Sequence, residues 1–505
     1  MKKIVLCILD GIGIRENPWG NAFKKAITPN FDYLWSNYPH CLLEASGEAV
    51  GLPKGQMGNS EIGHMNIGTG RVMHQELTTI NNSISDGSFY EKEEFLAAIN
   101  NCKEKNSNLH LLGIVSDGAV HGHVDHLLAL LELCKKEDFN RVYIHAILDG
   151  RDTTPMEAPK HIKRVKDKIN ELGIGEIITI QGRYYLMNRD RNWNLTKIAY
   201  EAVVEGESII EVSSTEEAFT KQYEENLTDE FMKPTVIRKV PLTDNDSLIS
   251  YNFRSDRLIQ FCRAFVDPEF SEFSRKKKNT YFVIMTEYEN EPYYKDVKIA
   301  FKKEIPVNTL GELISNQGLK QLRITEYEKR QHITFYFDGC RLEDYEKEES
   351  IIIKRPEVFT YDEKPEMRST EITEELLKAL KLDYSLIALN YPNGDALGHT
   401  GLFSKTIEGI EYIDKCLGRI IKETNLDDYI LIIMSDHGNC ENMIEENGTP
   451  NKKHTCNPVP FIICNQDYKL NPNKLGKLAD IAPTILHILN IEKPVEMTGE
   501  NLIKG

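Results

Sequence analysis

Three aspartates and three histidines stand just beyond apolar stretches that lie far apart in the chain. Asp10 follows Ile4–Leu9. Asp395 and His399 follow Leu386–Leu389, in "NYPNGDALGHTG". Asp436 and His437 follow Ile430–Met434, in "SDHGN", and His454 lies a short loop further on, in "KKHTCNP". Carboxylates mixed with imidazoles suit Mn, Zn or Fe better than Ca. One ion normally takes three or four protein ligands, so six candidates are too many for one and about right for two. A two-ion site suits phosphoryl chemistry, because one ion can hold the attacking oxygen and both can hold the phosphoryl oxygens. Taken singly, an Asp after a strand is most often a turn residue. Taken together, three carboxylates buried without cations would be costly, so if these strands are neighbours a metal site is the arrangement that costs least.

Ser60 is the candidate nucleophile. It sits in "LPKGQMGNSEIGHMNIGTGR", Leu52 to Arg71. So many glycines weaken an element interior, so the backbone here turns tightly or lets something approach closely. A free hydroxyl is a weak nucleophile, and metal coordination would lower its pKa and fix its direction. The glycines would leave room for a phosphate over Ser60, and a following helix start would favour an anion. The competing expectation is that Ser60 only caps a helix, with Glu61 in the first turn.

A second group is basic. "HLLGIVSDGAVHGH" ends near His121 and His123, and "VYIHAILDGRDTTP" carries Asp149, Arg151 and Asp152. "IITIQGRYYLMNRDRNW" carries Arg183 and Arg189, and "SLISYNFRSDR" carries Arg254 and Arg257. In a chain of net charge −17, five arginines after successive strands imply a pocket for a small anion, which Arg forks bind bidentately. Asp152 is either a plain salt-bridge partner or a general base tuned by the arginines.

The elements that must position these groups are strands alternating with amphipathic helices. "KIVLCILD" is followed by the helical "TPNFDYLWSNY", with Pro29 near its first turn. "NLHLLGIVSDG", "RVYIHAILDG" and "EIITIQGR" repeat the pattern, as do "DYSLIALN", "DYILIIMSDHG" and "VPFIICN". The final helix, "DIAPTILHILNI", has Asp480 as its expected N-cap. Continuous apolar strands alternating with helices predict an α/β fold of parallel sheets covered on both faces. In such sheets ligands gather beyond the carboxyl ends of the strands. "EDYEKEES", 343 to 350, is expected to be a solvated loop or hairpin tip. Boundaries are expected near Val72–Ile80 and around residues 288 to 308.

The chain's 505 residues suggest about two to four domains. The negative charge argues against a nucleic-acid partner. No apolar run approaches the roughly 18 residues of a membrane span, and the opening "MKKIVLCILDG" is too short in its apolar part for a signal peptide. Ten cysteines without a CxxC pair predict reduced, mostly buried thiols in a cytosolic protein.

The motifs "ILDGIG", "ASGEAVGLPKGQMGNSEIGHMNIGTGR", "SDGAVHGH", "LDGRDTTP", "GRYYLMNRD", "NFRSDR", "QLRITEYEKRQHITFYF", "GHTG", "SDHGN" and "DIAPTIL" resemble, in order and over nearly the whole chain, the cofactor-independent (2,3-bisphosphoglycerate-independent) phosphoglycerate mutases. The metal half alone resembles the wider alkaline phosphatase superfamily. The resemblance implies a three-layer α/β/α alkaline-phosphatase-like domain from 1–75 and 309–505. A second α/β transferase domain, 76–308, would be inserted into it, with the substrate in the cleft. It implies that Asp10, Ser60, Asp436 and His437 hold one Mn2+ or Mg2+, and that Asp395, His399 and His454 hold the other. It implies that His121, Arg151, Asp152, Arg183, Arg189, Arg254, Arg257 and Lys329 bind phosphoglycerate. Ser60 and Asp152 would be catalytic, interconverting 3-phosphoglycerate and 2-phosphoglycerate in glycolysis through a phosphoserine, with no 2,3-bisphosphoglycerate required. A cytoplasmic monomer without nucleic-acid or membrane partners is expected. The chain departs from the family pattern at Asn188, where Asp is expected, at Gly122 for Ser, and at Gly394 and Ala396 for Pro and Met. The alternatives are a hydrolase of the alkaline phosphatase or sulfatase kind, distinguished by release of free phosphate, and a non-catalytic protein that binds metal and phosphometabolite.

Overall fold

Lys3–Leu9 forms a strand buried along most of its length. It pairs in parallel with Leu386–Tyr391 on one side and Tyr429–Met434 on the other. Its side chains alternate between two cores, as a period of two requires. Ile4, Leu6 and Ile8 point into one and Val5, Cys7 and Leu9 into the other. The first core is completed by the helices Ser60–Thr69, Leu310–Asn316 and Ile481–Leu489, the second by Pro29–Asn37, Ser369–Ala379 and Phe403–Glu423. Two apolar faces each covered by helices make the three layers that the apolar runs predict.

The computed structural model describes residues 2–288, 294–303, 305–424 and 428–504. The chain folds as two units, residues 1–75 with 305–505 and residues 76–304. Residues 289–293 and 304, in the stretch expected to hold the second boundary, lie outside the described residues. No helix among the described residues is long and apolar enough to cross a membrane. The cysteines are free thiols and buried, except the half-buried Cys340 and the exposed Cys456.

The sheet of the first unit runs Glu348–Ile353, Gln321–Glu326, Leu386–Tyr391, Lys3–Leu9, Tyr429–Met434, Val459–Ile463, His40–Glu44, Gly476–Lys477. Not every strand is parallel, as the apolar pattern predicts. Val459–Ile463 is antiparallel to both its neighbours. The segment 435–458 contains no helix, and without a crossover element the chain can only return in the opposite direction. The charged run 343 to 350 is not a loop throughout. It leads into the edge strand Glu348–Ile353, and Glu348 is buried with Oε1 3.7 Å from Arg323 Nε. Asp480 stands at the start of the last helix, but its carboxylate makes no cap there. It accepts instead from Lys477 N and Glu500 N, at 2.9 and 2.8 Å.

The second unit holds its own sheet, in the order Lys298–Phe301, Tyr281–Thr286, Ser247–Ser250, Leu109–Ile114, Val142–Leu148, Glu176–Gly182, Thr235–Val236, Ile210–Glu211. Leu109 and Leu111 face one core, and Leu112 and Ile114 the other. From Leu109–Ile114 the sheet grows one way through Val142–Leu148 and Glu176–Gly182. It grows the other way through Ser247–Ser250 and Tyr281–Thr286. Each sheet therefore has a place where the chain changes direction across it, next to Lys3–Leu9 in one and next to Leu109–Ile114 in the other. Loops part there at the carboxyl ends of adjacent strands and leave space for a ligand.

Candidate active site and metal centre

Asp10 ends the central strand of the first unit. Asp395 lies in the short helix after Leu386–Tyr391, and Asp436 and His437 follow Tyr429–Met434 directly. Because these three strands are neighbours, residues from three distant parts of the chain meet. Asp395 N donates to Asp10 O at 3.0 Å, and Gly11, at φ +76°, has room for no side chain, since a Cβ would lie 2.6 Å from Asp395 N. Ser60 opens the helix Ser60–Thr69. Asn59, not Ser60, is the cap, its side chain accepting from Ile62 N at 3.0 Å. The serine hydroxyl is thus free for other work. Its Oγ lies 2.9 Å from His437 Nε2, 3.4 Å from Asp10 Oδ1 and 2.6 Å from Lys329 Nζ.

Two of the glycines after Ser60 are required by close backbone approach. A Cβ on Gly63 would sit 2.8 Å from Asp436 O, and one on Gly68 1.9 Å from Phe337 O. Gly63 lets the helix lie directly on the backbone that presents Asp436, and Gly68 lets it lie on the Phe337 backbone. The unexpected Gly394 is explained in the same way, for a Cβ there would meet Asp10 O at 2.5 Å. At Gly122 a Cβ would meet Ile114 Cγ2 at 2.7 Å and Asn252 Oδ1 at 2.9 Å, which leaves a serine no space. Asn188 accepts from Asp190 N and Asn192 N, at 3.1 and 3.2 Å, and so shapes its own loop. Nothing in the structure explains Ala396.

The charges show what this cluster lacks. Asp10, Asp395 and Asp436 are all buried. Burial alone would raise their pKa values, yet all three lie below the usual carboxylate range. Lys329 holds Asp10 and Asp395 down, and His437 and His64 hold Asp436 down. Lys329 Nζ reaches Asp10 Oδ1 and Asp395 Oδ2 at 2.8 Å each. Burial opposes its charge, but the three carboxylates raise its pKa above the usual lysine value. Burial opposes charge on His437 as well, and the same carboxylates push it up to about 10.

The histidines fit a metal. Nδ1 of His399 contacts Lys452 O at 2.8 Å, Nδ1 of His454 contacts Gly58 O at 2.8 Å, and Nδ1 of His437 contacts Gly438 O at 3.3 Å. A carbonyl only accepts, so each Nδ1 carries the proton and turns Nε2 inward. Nε2 of His399 and Nε2 of His454 then face each other at 2.9 Å, and each is 3.1 Å from Asp395 Oδ1. Two inward lone pairs that close to a carboxylate oxygen ask for a cation between them. A second convergence joins Asp10, Asp436 and His64. These donor sets, imidazole with carboxylate, suit Mn2+ or Zn2+.

In the second unit the strand ends gather the basic group. Arg183 Nη1 bonds Asp149 Oδ1 at 2.7 Å and also Asp152. His121 lies 3.8 Å from Asp152 Oδ2 and 3.6 Å from Asp256 Oδ1. Arg189 and Arg254 reach Asp256 at 2.8 and 3.2 Å, and Arg151 reaches Glu230 at 3.4 Å. Burial, then the charge of Arg183, pushes His121 down to about 4, so it is neutral near pH 7. Arg257 is left over. Burial, then the like charges of Arg189, Arg183 and Arg151, lowers its pKa, and its buried Nε has no hydrogen-bond partner among the described residues. A crowd of guanidinium groups with one unsatisfied is a site for an anion.

Relatives match this chain along its length. The 2,3-bisphosphoglycerate-independent phosphoglycerate mutase of Acetivibrio thermocellus is 47% identical over 512 residues, covering 99% of each chain. That of Clostridium acetobutylicum is 47% identical over 510 residues, covering all of this chain and 99% of its own. The chain belongs to the 2,3-bisphosphoglycerate-independent phosphoglycerate mutase family. Residues 80–290 also match the family model for the BPG-independent PGAM N-terminus. A crystal structure of Leishmania mexicana phosphoglycerate mutase at low cobalt concentration superimposes with a TM-score of 0.59 at 27% identity, covering all of this chain and 98% of that one. A mutase of this family is an isomerase.

The structure brings Asp10, Ser60, Asp395, His399, Asp436, His437 and His454 together. It also brings together His121, Arg151, Asp152, Arg183, Arg189, Arg254 and Arg257. Lys329 stands with Ser60 in the first unit, although the family motif groups it with the arginines. Sequence reasoning missed His64, whose Nδ1 donates to Ser60 O at 2.9 Å and lies 3.2 Å from Asp436 Oδ2. Its place four residues after Ser60, on one helix face, was the available signal. Asn390, bonded to Asp10 Oδ2 at 2.8 Å, and Asn439, bonded to Asp395 Oδ1 at 2.9 Å, gave none. The same holds for Asp256, which pairs with the arginines.

Proposed function

We propose that this phosphoglycerate mutase interconverts 3-phosphoglycerate and 2-phosphoglycerate through a phosphoserine at Ser60, without 2,3-bisphosphoglycerate. The observation that carries the reading is Ser60 Oγ, held at the start of a helix within 2.9 Å of His437 Nε2 and 2.6 Å of Lys329 Nζ, among three buried carboxylates. Asp10, Asp436 and His437 with Ser60, and Asp395, His399 and His454, would hold two divalent ions, Mn2+ in the first instance or Mg2+. When bound, such ions supply Lewis acidity toward the phosphoryl group and charge for the carboxylates.

The chain's own residues divide the rest of the work. Ser60 reacts as its alkoxide: Oγ attacks phosphorus, the new Oγ–P bond forms, the bond to the glycerate oxygen breaks, and the return transfer regenerates the same alkoxide. Lys329 places an ammonium where phosphoryl oxygens gather, and the N-terminus of Ser60–Thr69 favours the same negative charge. Asp152 gives a proton to the freed glycerate oxygen and takes one from the other hydroxyl before the phosphoryl group returns. Arg183 fixes that carboxyl group by its bond. Arg189, Arg254 and Arg257 hold the glycerate carboxylate, so that glycerate rather than water receives the phosphoryl group.

The test starts from protein freed of metal, to which Mn2+ and 3-phosphoglycerate labelled in its phosphate are added. Label should appear on Ser60 after a rapid acid quench, 2-phosphoglycerate should form, and little free phosphate should be released. Ser60→Ala should lose the label and about 10⁴-fold or more in kcat. Full activity in Ser60→Ala would refute the phosphoserine. Free phosphate released as fast as 2-phosphoglycerate would make the protein a phosphatase.

A further inference from the structure

The second unit contains a third convergence of ligand atoms, apart from the basic group. Asp117, Glu157 and His161 each bring a carboxylate oxygen or an imidazole nitrogen within 4.8 Å of the others. Acidic residues at a surface gather often without consequence. His161 distinguishes this place. Its ring is 1% exposed, and neither Nδ1 nor Nε2 has a hydrogen-bond partner among the described residues. A neutral imidazole has one N–H and one lone pair, and both are stranded here. Nε2 lies beside the carboxylates, 3.4 Å from Asp117 Oδ1. Burial, the leading cause, lowers the pKa of His161, which keeps the lone pair available near neutral pH.

A cation already visits the two carboxylates. Lys160 Nζ lies 2.8 Å from Glu157 Oε1 and 3.7 Å from Asp117 Oδ2, on a side chain that is 60% exposed. It can swing into solvent. Thr154 Oγ1 donates to Glu157 Oε2 at 3.0 Å and steadies that carboxylate. The helix Ala158–Leu172 starts here, and its N-terminal dipole works against a cation. Two carboxylates offset it.

We infer that Asp117, Glu157 and His161 form a site for a divalent transition-metal ion of the Zn2+ or Mn2+ class, distinct from the Ser60 cluster. One imidazole with two carboxylates matches the donor preference of those ions. The site ties a loop to a helix. Asp117 lies on the loop that continues to His121, and the next residue, Gly118, packs so closely that a Cβ would lie 3.0 Å from Asp149 Oδ2 and 3.1 Å from Asp152 Cβ. An ion joining Asp117 to His161 therefore braces the loop behind the anion-binding group. Lys160 acts as an internal competitor for it.

Full-length protein stripped with a chelator is titrated with Zn2+ by calorimetry, together with Asp117→Asn and Lys160→Ala. Crystals soaked in Zn2+ give an anomalous map. Asp117 is half exposed, so its variant keeps the fold, which far-UV circular dichroism verifies. The parent should bind one equivalent more than Asp117→Asn. Lys160→Ala should bind that equivalent about tenfold more tightly, as expected when a competing charge is removed. An anomalous peak should stand between the three side chains. Equal numbers of equivalents in the parent and Asp117→Asn would overturn the site, as would anomalous peaks confined to other places. Neither result bears on Ser60, whose ligands are untouched in both variants.

Discussion

Replacing Lys329 by methionine removes the one ammonium that bridges Asp10 and Asp395, at 2.8 Å to each. Methionine fills most of the volume, so the loss is chiefly electrostatic. Both carboxylates stay buried, and breaking a buried ion pair by removing one partner costs about 3–5 kcal/mol. A unit of this size loses about 2 °C in Tm per kcal/mol, so metal-free Lys329→Met should melt about 6–10 °C below the parent. Mn2+ changes the comparison, because it would supply positive charge to the same carboxylates. The gap in Tm should therefore narrow when Mn2+ is added, and the variant should bind Mn2+ at least as tightly as the parent while its mutase activity falls. Differential scanning calorimetry with and without Mn2+ measures all but the last. A drop under 2 °C without metal would refute the view that Lys329 compensates the carboxylates. So would a drop of equal size with and without Mn2+, because the ions would then not share the lysine's ligands.

Acid should destabilise the second unit before most carboxylates titrate. Burial, first among the causes, pushes His121 down to about 4 and His126 to about 3, against about 6.5 in the unfolded chain. The unfolded chain binds more protons between those values, so this stability is full above about pH 6.5 and is lost as pH falls toward 3–4. Urea midpoints that stay constant from pH 7 to 4.5 would contradict it. Gly63→Ala should cost about 1–3 kcal/mol by overpacking against Asp436 O, 2.8 Å from the new Cβ. It should also weaken Mn2+ binding, and an unchanged Tm with unchanged Mn2+ titration would refute that. Arg257→Met should leave Tm unchanged or raise it, because like charges surround Arg257. The KM for 3-phosphoglycerate should rise at least about tenfold, since a hydrogen bond to a charged group is worth about 1.5–3 kcal/mol. A lower Tm with unchanged KM would make Arg257 a structural residue.

The layered α/β fold and both clusters could be read from the sequence because strand-length apolar runs end where the clustered Asp, His and Arg residues begin. Asp10, Asp395 and Asp436 are legible for this reason, as are Arg183 and Arg254. The return direction of Val459–Ile463 was not, because strand pattern carries no sign of direction when the intervening helix is missing. The buried Glu348 was hidden among charges that do face water, and only its partner Arg323, twenty-five positions earlier, explains it. The glycines were legible as close approach but not as approach by what. Sequence suggests a ligand, and the structure shows backbone carbonyls. Lys329 shows a related limit, for a motif can mark a residue as functional without saying which charges it will meet.

Asp10 and Asn390, which donates to its carboxylate, are 380 positions apart, yet they are bonded at the ends of adjacent strands. A ribosome working at about 5–20 residues per second finishes Lys3–Leu9 some 20–75 s before that neighbouring strand exists. Throughout that interval the apolar stretch Ile4–Leu9 has no partner on either side, while residues 76–304, with their own core, can already fold. The strand His40–Glu44 waits longer still, since its partners Val459–Ile463 and Gly476–Lys477 come later in the chain. Newly synthesised chains should therefore depend on a holding chaperone over Ile4 to Leu9, and truncations that remove Leu386 onward should aggregate through that segment although residues 76–304 remain soluble.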